Sequence, residues 1–202
     1  FSEVTSVNLD EYRGLPKEHP ESYWSFMHRN LFDLVNIRPE AINLPDGTNM
    51  DAEGECARYE EKIASCGGID LFLGGIGVDG HIAFNEPYTS LASRTGVRDL
   101  TTDTRIVNSR FFGNDPEKVP AQALSVGVGT VTDSKEVLIL INGHNKARAL
   151  AATVEGGVSQ KWTCSALQLH NGAIIACDEA ACGELTVDTY KYFLDIEKNQ
   201  RL

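Results

Sequence analysis

The sequence predicts an α/β fold built on an open, mostly parallel sheet with helices on both faces. Three observations carry this. Apolar runs rich in β-branched residues recur at 4–9, 69–73, 137–141 and 173–177, without the strict alternation of a half-exposed strand. Segments with helical periodicity lie between them. No long Pro/Gly/Ser linker interrupts the succession, so residues 1–202 read as a single domain.

Each element has its own signal. The run 4–9 reads as a strand that ends at Leu9 and passes into a charged loop, Asp10-Glu11-Tyr12. Pro20 suits a first helical position, which predicts a helix through Trp24 and Met27. Asp51 is a helix N-cap, after which Ala52, Cys56, Tyr59 and Ile63 recur on one face until Gly67-Gly68 stops the helix. Strand 69–73 follows and runs into a glycine-rich loop. Residues 87–120 are polar and read as loops and short helices crossing the top of the sheet. After strand 137–141, Asn145 is expected to cap a helix over 146–155, closed by Gly156-Gly157. A strand at 173–177 and a last helix over 184–198 complete a Rossmann-like arrangement. The chain lacks an initiator methionine and opens directly on a strand-like run, which predicts that it is a C-terminal fragment of a longer one-domain enzyme.

Composition narrows the class of function. A net charge of -11 and a pI near 4.9 offer no basic field for nucleic acid. No apolar stretch is long enough to span a bilayer. The five cysteines form neither a Cys-x-x-Cys pair nor a Cys/His ligand spacing, as expected of free thiols in a reducing, cytoplasmic setting. The expected partner is a small molecule, with no nucleic acid and no membrane.

In open α/β sheets the ligand sits outside the carboxyl ends of the strands. The segment GGIGVDGHIAFNEP (74–87) follows one such end, and Asp10 follows another. Asp79 and His81 are two residues apart, so in extended backbone their side chains point the same way. A carboxylate on one imidazole nitrogen fixes the tautomer and leaves the other nitrogen free to move a proton. Glu86 can return to the same ring if the loop curls, and Asp10 supplies a separate base. Two carboxylates and a histidine also suit a divalent ion. The lack of a second histidine nearby argues for the proton relay over the metal.

The segments NLDEYRGLPKEHPESYWSFMHRN (8–30), GGIGVDGHIAFNEP, ALSVGVGTVTD (123–133), QKWTCSALQLH (160–170) and CDEAACGEL (177–185) closely resemble the glucosamine-6-phosphate deaminase family, over essentially the whole chain. The resemblance implies a fold of the sugar-phosphate isomerase type and no metal or organic cofactor. The implied reaction converts glucosamine 6-phosphate and water to fructose 6-phosphate and ammonia. Asp10 is then implied as the base that takes the C2 proton of the opened sugar and returns it at C1. An ordinary aspartate, with a pKa near ~3.9, is ionised at neutral pH and ready to accept it. His81 resembles the residue that moves the proton in ring opening, with Asp79 and Glu86 tuning it. Arg110 and Lys146 match phosphate-binding positions, and Lys146 gains from a helix N-terminus that favours an anion.

The sequence departs from the family pattern in two places. The N-terminal part that carries a Gly-rich turn around the substrate phosphate is missing. Hexameric members answer to N-acetylglucosamine 6-phosphate through basic residues after a Ser-Arg-Thr run, which makes a homo-oligomer a candidate assembly. Here Ser93-Arg94-Thr95 leads to Gly96, Arg98 and Asp99, where an arginine, a lysine and an uncharged residue are expected. Tyr192, which resembles a tyrosine of that regulatory site, is retained. Two alternatives share the fold: a non-catalytic sugar-phosphate-sensing domain, and a hydrolase like the 6-phosphogluconolactonases.

Overall fold

The computed structural model describes residues 1–200. In chain order the elements are β1 (Ser6–Val7), β2 (Asp10–Tyr12), α1 (Tyr23–Asn30), β3 (Ile42–Asn43), α2 (Ala52–Ser65), β4 (Leu71–Gly74) and β5 (Gly96–Asp99). They continue with α3 (Thr102–Asn108), β6 (Gln122–Ser125), α4 (Val128–Thr132), β7 (Glu136–Ile141), α5 (Ala147–Val154), β8 (Ala173–Cys177) and α6 (Val187–Gln200). The alternation is the expected α/β one, and the pairings β1–β3, β4–β7 and β7–β8 are parallel.

These parallel pairs form two sheets, β1-β3 and β4-β7-β8; a third, β2-β6-β5, is antiparallel and was not expected. Adjacent carboxylates at Asp10 and Glu11 read as a loop because acidic side chains are rarely buried. Instead all three residues of β2 are buried. Glu11 is satisfied there because its carboxylate accepts the N–H groups of Tyr12, Tyr23 and Trp24 at 2.8–3.0 Å. Two of these are first-turn donors of α1, so the buried glutamate docks that helix onto β2. Ser22 caps α1 by accepting from Ser25 N–H at 3.0 Å, and the helix begins three residues later than Pro20 suggested.

Helix α2 begins and caps as predicted, with Asp51 accepting from Gly54 N–H. Its Tyr59 and Ile63 join Val131 of α4 and Leu150 of α5 against Phe72, Val137, Ile139 and Ile141. The opposite face of β4-β7-β8 carries Leu71, Leu73, Leu140 and Ile174, each more than half exposed. Burial on both faces, expected from the apolar runs, therefore holds for one face. Among the described residues no helix is long and apolar enough to cross a membrane.

The parallel strands β4 and β7 end side by side, Gly74 beside Ile139. Beyond them lie the glycine-rich loop and the turn His144–Lys146. Asn145 does not cap α5: Lys146 occupies the cap position, and no side chain bonds the helix start. The turn is instead fixed by Gly143, at φ 86°, whose N–H donates to the Asp178 carboxylate at 3.0 and 3.1 Å.

Candidate active site

The loop after β4 folds back on itself. Gly77 N–H donates to His81 C=O at 2.8 Å, and Ile76 pairs with Ile82, so Asp79 and His81 sit in a tight turn rather than in extended backbone. Glycine is required at Gly77 by close approach. A Cβ there would lie 2.5 Å from both the Asp79 carboxylate and the His81 ring. Gly80 has φ 78°, and a Cβ on it would meet the Trp162 ring at 2.4 Å. Ala83 is held at φ 51°, a strained value for a residue with a side chain.

His81 Nδ1 stands 2.8 Å from Asp79 Oδ1 and 3.5 Å from Glu86 Oε2. Neither approach has the geometry of an ordinary hydrogen bond, so Nδ1 and Glu86 Oε2 are buried in charge contact alone. Burial disfavours the charged ring, but the two carboxylates outweigh it and hold the imidazolium up to about 9. Asp79 is itself held well below the usual carboxylate range: burial opposes ionisation, and the bonds and charge of His81 prevail. Glu86 is buried, and its other oxygen accepts from Thr104 Oγ1 at 2.6 Å and from Thr101 at 3.3 Å. The donor atoms of Asp79, His81 and Glu86 all lie within 4.8 Å of one another, a spacing that a divalent ion could bridge. The imidazolium already supplies a positive charge to both carboxylates at that point.

Asp10 lies on buried β2 rather than in a loop, only 4% exposed. Among the described residues no hydrogen-bond donor reaches its carboxylate. Burial, reinforced by the neighbouring Glu11 and partly offset by His81, raises its pKa to about 8. An ionised aspartate at neutral pH was expected from its ordinary value. The desolvated environment makes the protonated form the main one at pH 7, with the base form becoming dominant above pH 8.

A cavity of about 320 Å³ joins these groups: Asp10, Asp79, His81, Arg110 and Lys146 all line it, and Glu86 stands behind His81. Lys146 Nζ donates to Ile76 C=O at 2.6 Å. Burial lowers the Lys146 pKa, Asp79 opposes this, and Arg110 adds to the lowering, so the two cations feel one another across the cavity. Arg110 is exposed, its guanidinium over Phe111 at 4.6 Å. A second cavity, of about 650 Å³, lies beside Lys17, Trp24 and Thr48 and includes none of these six residues. Tyr192 is outside both cavities: it is exposed on α6 and packs edge-on against Phe193 at 5.3 Å.

Sequence reasoning overlooked Thr104 and Asn85. Thr104 braces Glu86, and the Thr101-x-x-Thr104 spacing, with Thr101 capping α3, was the available signal. Asn85 is fully buried and donates from Nδ2 to Ile82 C=O at 2.9 Å and Val126 C=O at 2.8 Å, locking the loop to the strand end. Arg98 Nε donates to Asn85 Oδ1 at 3.0 Å, a contact that no local pattern announces.

A parallel sheet whose carboxyl ends carry the Asp79–His81–Glu86 cluster, with Arg110 and Lys146 lining the same cavity, defines a ligand-sized site of the open α/β class. Residues 1–176 match the family of glucosamine-6-phosphate isomerases/6-phosphogluconolactonase, and the chain belongs to that family. It is 62% identical over 199 residues to a glucosamine-6-phosphate deaminase of Parabacteroides distasonis, covering 98% of this chain and 74% of that protein. It is 63% identical over 197 residues to one of Bacteroides thetaiotaomicron, with 98% and 73% covered. The solved structure of a monomeric glucosamine-6-phosphate deaminase superposes with a TM-score of 0.86 at 42% identity, over 88% of this chain and 73% of that one. A 6-phosphogluconolactonase from Trypanosoma cruzi, at 18% identity and a TM-score of 0.70 over 91% of this chain and 73% of that one, shares the fold alone.

Proposed function

We infer that this chain is a glucosamine-6-phosphate deaminase, converting glucosamine 6-phosphate and water to fructose 6-phosphate and ammonia. The observation that carries the reading is the convergence of Asp10, the Asp79–His81–Glu86 relay, Arg110 and Lys146 on one cavity. Identity above 60% to deaminases over almost the whole chain supports the same conclusion.

The chemistry follows from the protonation states. Nδ1 of His81 faces two carboxylates, so Nε2 is the nitrogen left for substrate. A ring held protonated up to about 9 can donate a proton to the ring oxygen as the pyranose opens. Asp10, with a pKa of about 8, is a stronger base than an ordinary aspartate once ionised, and is poised near operating pH. It removes the proton from C2 of the open aldehyde and delivers it to C1, while the amine gives up a proton and O1 gains one, so that C1 becomes an alcohol and the unsaturation moves to C2 as an imine. Water then adds at C2 and ammonia leaves. Arg110 and Lys146 hold the phosphate and orient C1 and C2 towards Asp10. None of these steps calls for a metal.

The substrate is thus a sugar phosphate. Five free thiols fit a reducing cytoplasm, and the monomeric relative makes a monomer as admissible as a hexamer. The chain spans about three quarters of the length of the relatives it matches, 74% in one case and 73% in the other. The bare apolar face of β4-β7-β8 supports reading residues 1–202 as part of a longer one-domain enzyme. The test is release of ammonia from glucosamine 6-phosphate, assayed on the full-length parent and on this chain. Hydrolysis of a phosphogluconolactone without ammonia release by the parent would overturn the reading.

A further inference from the structure

At the carboxyl end of edge strand β8, Cys177 and Cys182 place their sulfur atoms 3.5 Å apart. No other cysteine is in contact with a second one among the described residues; Cys56 and Cys164 are buried separately and Cys66 is exposed at the end of α2. The strand register sets Cys177 beside Ile141, on the side of the sheet that the helices cover. Cys182 belongs to the turn Ala181–Glu184, and its N–H donates to Asp178 C=O at 3.3 Å and Glu179 C=O at 3.2 Å. Cys177 is exposed and Cys182 partly so, which lets a small reagent reach the pair.

The residue between them that matters is Asp178. Its carboxylate accepts Ala181 N–H at 2.8 Å and Gly143 N–H at 3.0 and 3.1 Å. Gly143 opens the turn that ends at Lys146, which lines the cavity and donates from Nζ to Ile76 C=O. Gly183 packs on the same turn: a Cβ there would sit 2.9 Å from His144 Nδ1. The chain between the two thiols is therefore latched to the segment that presents the phosphate cation.

We propose that Cys177 and Cys182 are a dithiol modification site, closed to a disulfide by a small-molecule disulfide, and that closure acts on Lys146 through Asp178. In the first step one thiolate attacks the small disulfide and expels one small thiol, leaving a mixed disulfide. The second cysteine then attacks the protein sulfur and expels the other thiol. Two electrons and two protons leave the protein pair and appear on two small thiols. A disulfide bond of about 2 Å requires the sulfur atoms to approach by roughly 1.5 Å, within reach of side-chain rotation and a small shift of the turn. That shift bears on Asp178 and thence on Gly143. Burial and the hydrogen shared with Cys182 hold the Cys177 thiol up to about 11, so closure is slow near neutrality and quickens with alkali.

The experiment treats the reduced protein with oxidised glutathione at pH 7.5 and pH 9, then maps thiols by tandem mass spectrometry. The expected result is loss of two thiols, a mass lower by about 2 Da and a Cys177–Cys182 crosslink that forms faster at pH 9. Cys182→Ser should stop at a mixed disulfide on Cys177. Persistent mixed disulfides on both cysteines of the unmutated protein, or copies crosslinked through Cys66, would overturn the site. The coupling to Lys146 rests on the deaminase reading. Oxidation of the full-length parent should raise KM for glucosamine 6-phosphate about fivefold or more. kcat should change less, a reducing thiol should reverse the effect, and Cys177→Ser/Cys182→Ser should be insensitive. A crosslink that leaves KM unchanged would refute the coupling and keep the site, whereas a parent with no deaminase activity would refute the functional reading while the thiol map stands.

Discussion

Replacing Asp10 by Asn separates what the residue does for catalysis from what it costs the fold. Asp10 is 4% exposed and its carboxyl pKa rises from 3.8 to about 8, chiefly through burial. A folded-state value above the unfolded one means that the native protein binds the extra proton. The protonated group is therefore tolerated fully below pH ~4, and stability is lost as pH climbs from ~4 towards 8, after which the loss is constant. Four units at about 1.4 kcal/mol each set an upper limit of about 6 kcal/mol. Water drawn to the ionised group through the cavity reduces that, so a gap of about 2–4 kcal/mol is expected. Asparagine has the same shape and no titration. Asp10→Asn should thus gain stability over the parent sequence progressively between pH 5 and pH 8 and level off above it. Urea denaturation of both proteins at pH 5, 7 and 9 measures this, with a midpoint shift of about 1–2 M at pH 9 for an m-value of about 2 kcal/mol/M. The same variant should lose deamination by ~10²–10⁴-fold while retaining substrate binding. A stability difference that is independent of pH would refute the desolvated carboxyl, and near-normal turnover would remove Asp10 from the mechanism.

Further outcomes follow from the same geometry. His81→Gln should impair the cyclic substrate more than an open-chain analogue that bypasses ring opening; equal losses on both would take His81 out of that step. Gly77→Ala drives a methyl into the Asp79 carboxylate and the His81 ring, both 2.5 Å from the new carbon. It should lower kcat by at least about tenfold, shift the pH profile of the relay, and cost about 1–3 kcal/mol of stability; an unchanged pH profile would show that the turn does not set the His81 environment. Dialysis against a strong chelator should leave activity intact, because the imidazolium serves both carboxylates of the relay, and metal-dependent recovery of lost activity would contradict this. Response to N-acetylglucosamine 6-phosphate should be weak or nil, read from substrate saturation curves with and without it. Gly96 carries no cation, Asp99 is negative, and the Arg98 guanidinium is occupied by Asn85 and by Arg94 C=O at 2.7 Å. A sigmoidal curve made hyperbolic by the effector would show that Arg98 and Tyr192 suffice.

The sequence by itself determined the features that lie within one contiguous stretch. Asp51 capping α2, the strand at Ala173–Cys177 and the loop holding Asp79, His81 and Glu86 were all readable, because backbone hydrogen bonding and short motifs act over a few residues. Tertiary structure decided whatever depends on segments far apart in the chain. The antiparallel sheet β2-β6-β5 joins strands of three or four residues, too short to show a period, and its β2–β6 pairing reaches across more than a hundred positions. The start of α1 was set by Glu11 from another strand, and the turn before Lys146 by Asp178 rather than by Asn145. The apolar pattern of β4 and β7 looked buried on both faces, yet a pattern records which residues tolerate burial and not whether a partner covers them. Asp10 shows the distinction most sharply. Its place at a strand end beside the glycine-rich loop was legible, but its proton affinity was not, since a pKa is a property of the dielectric and charges around the carboxyl, and those arrive only when the chain folds.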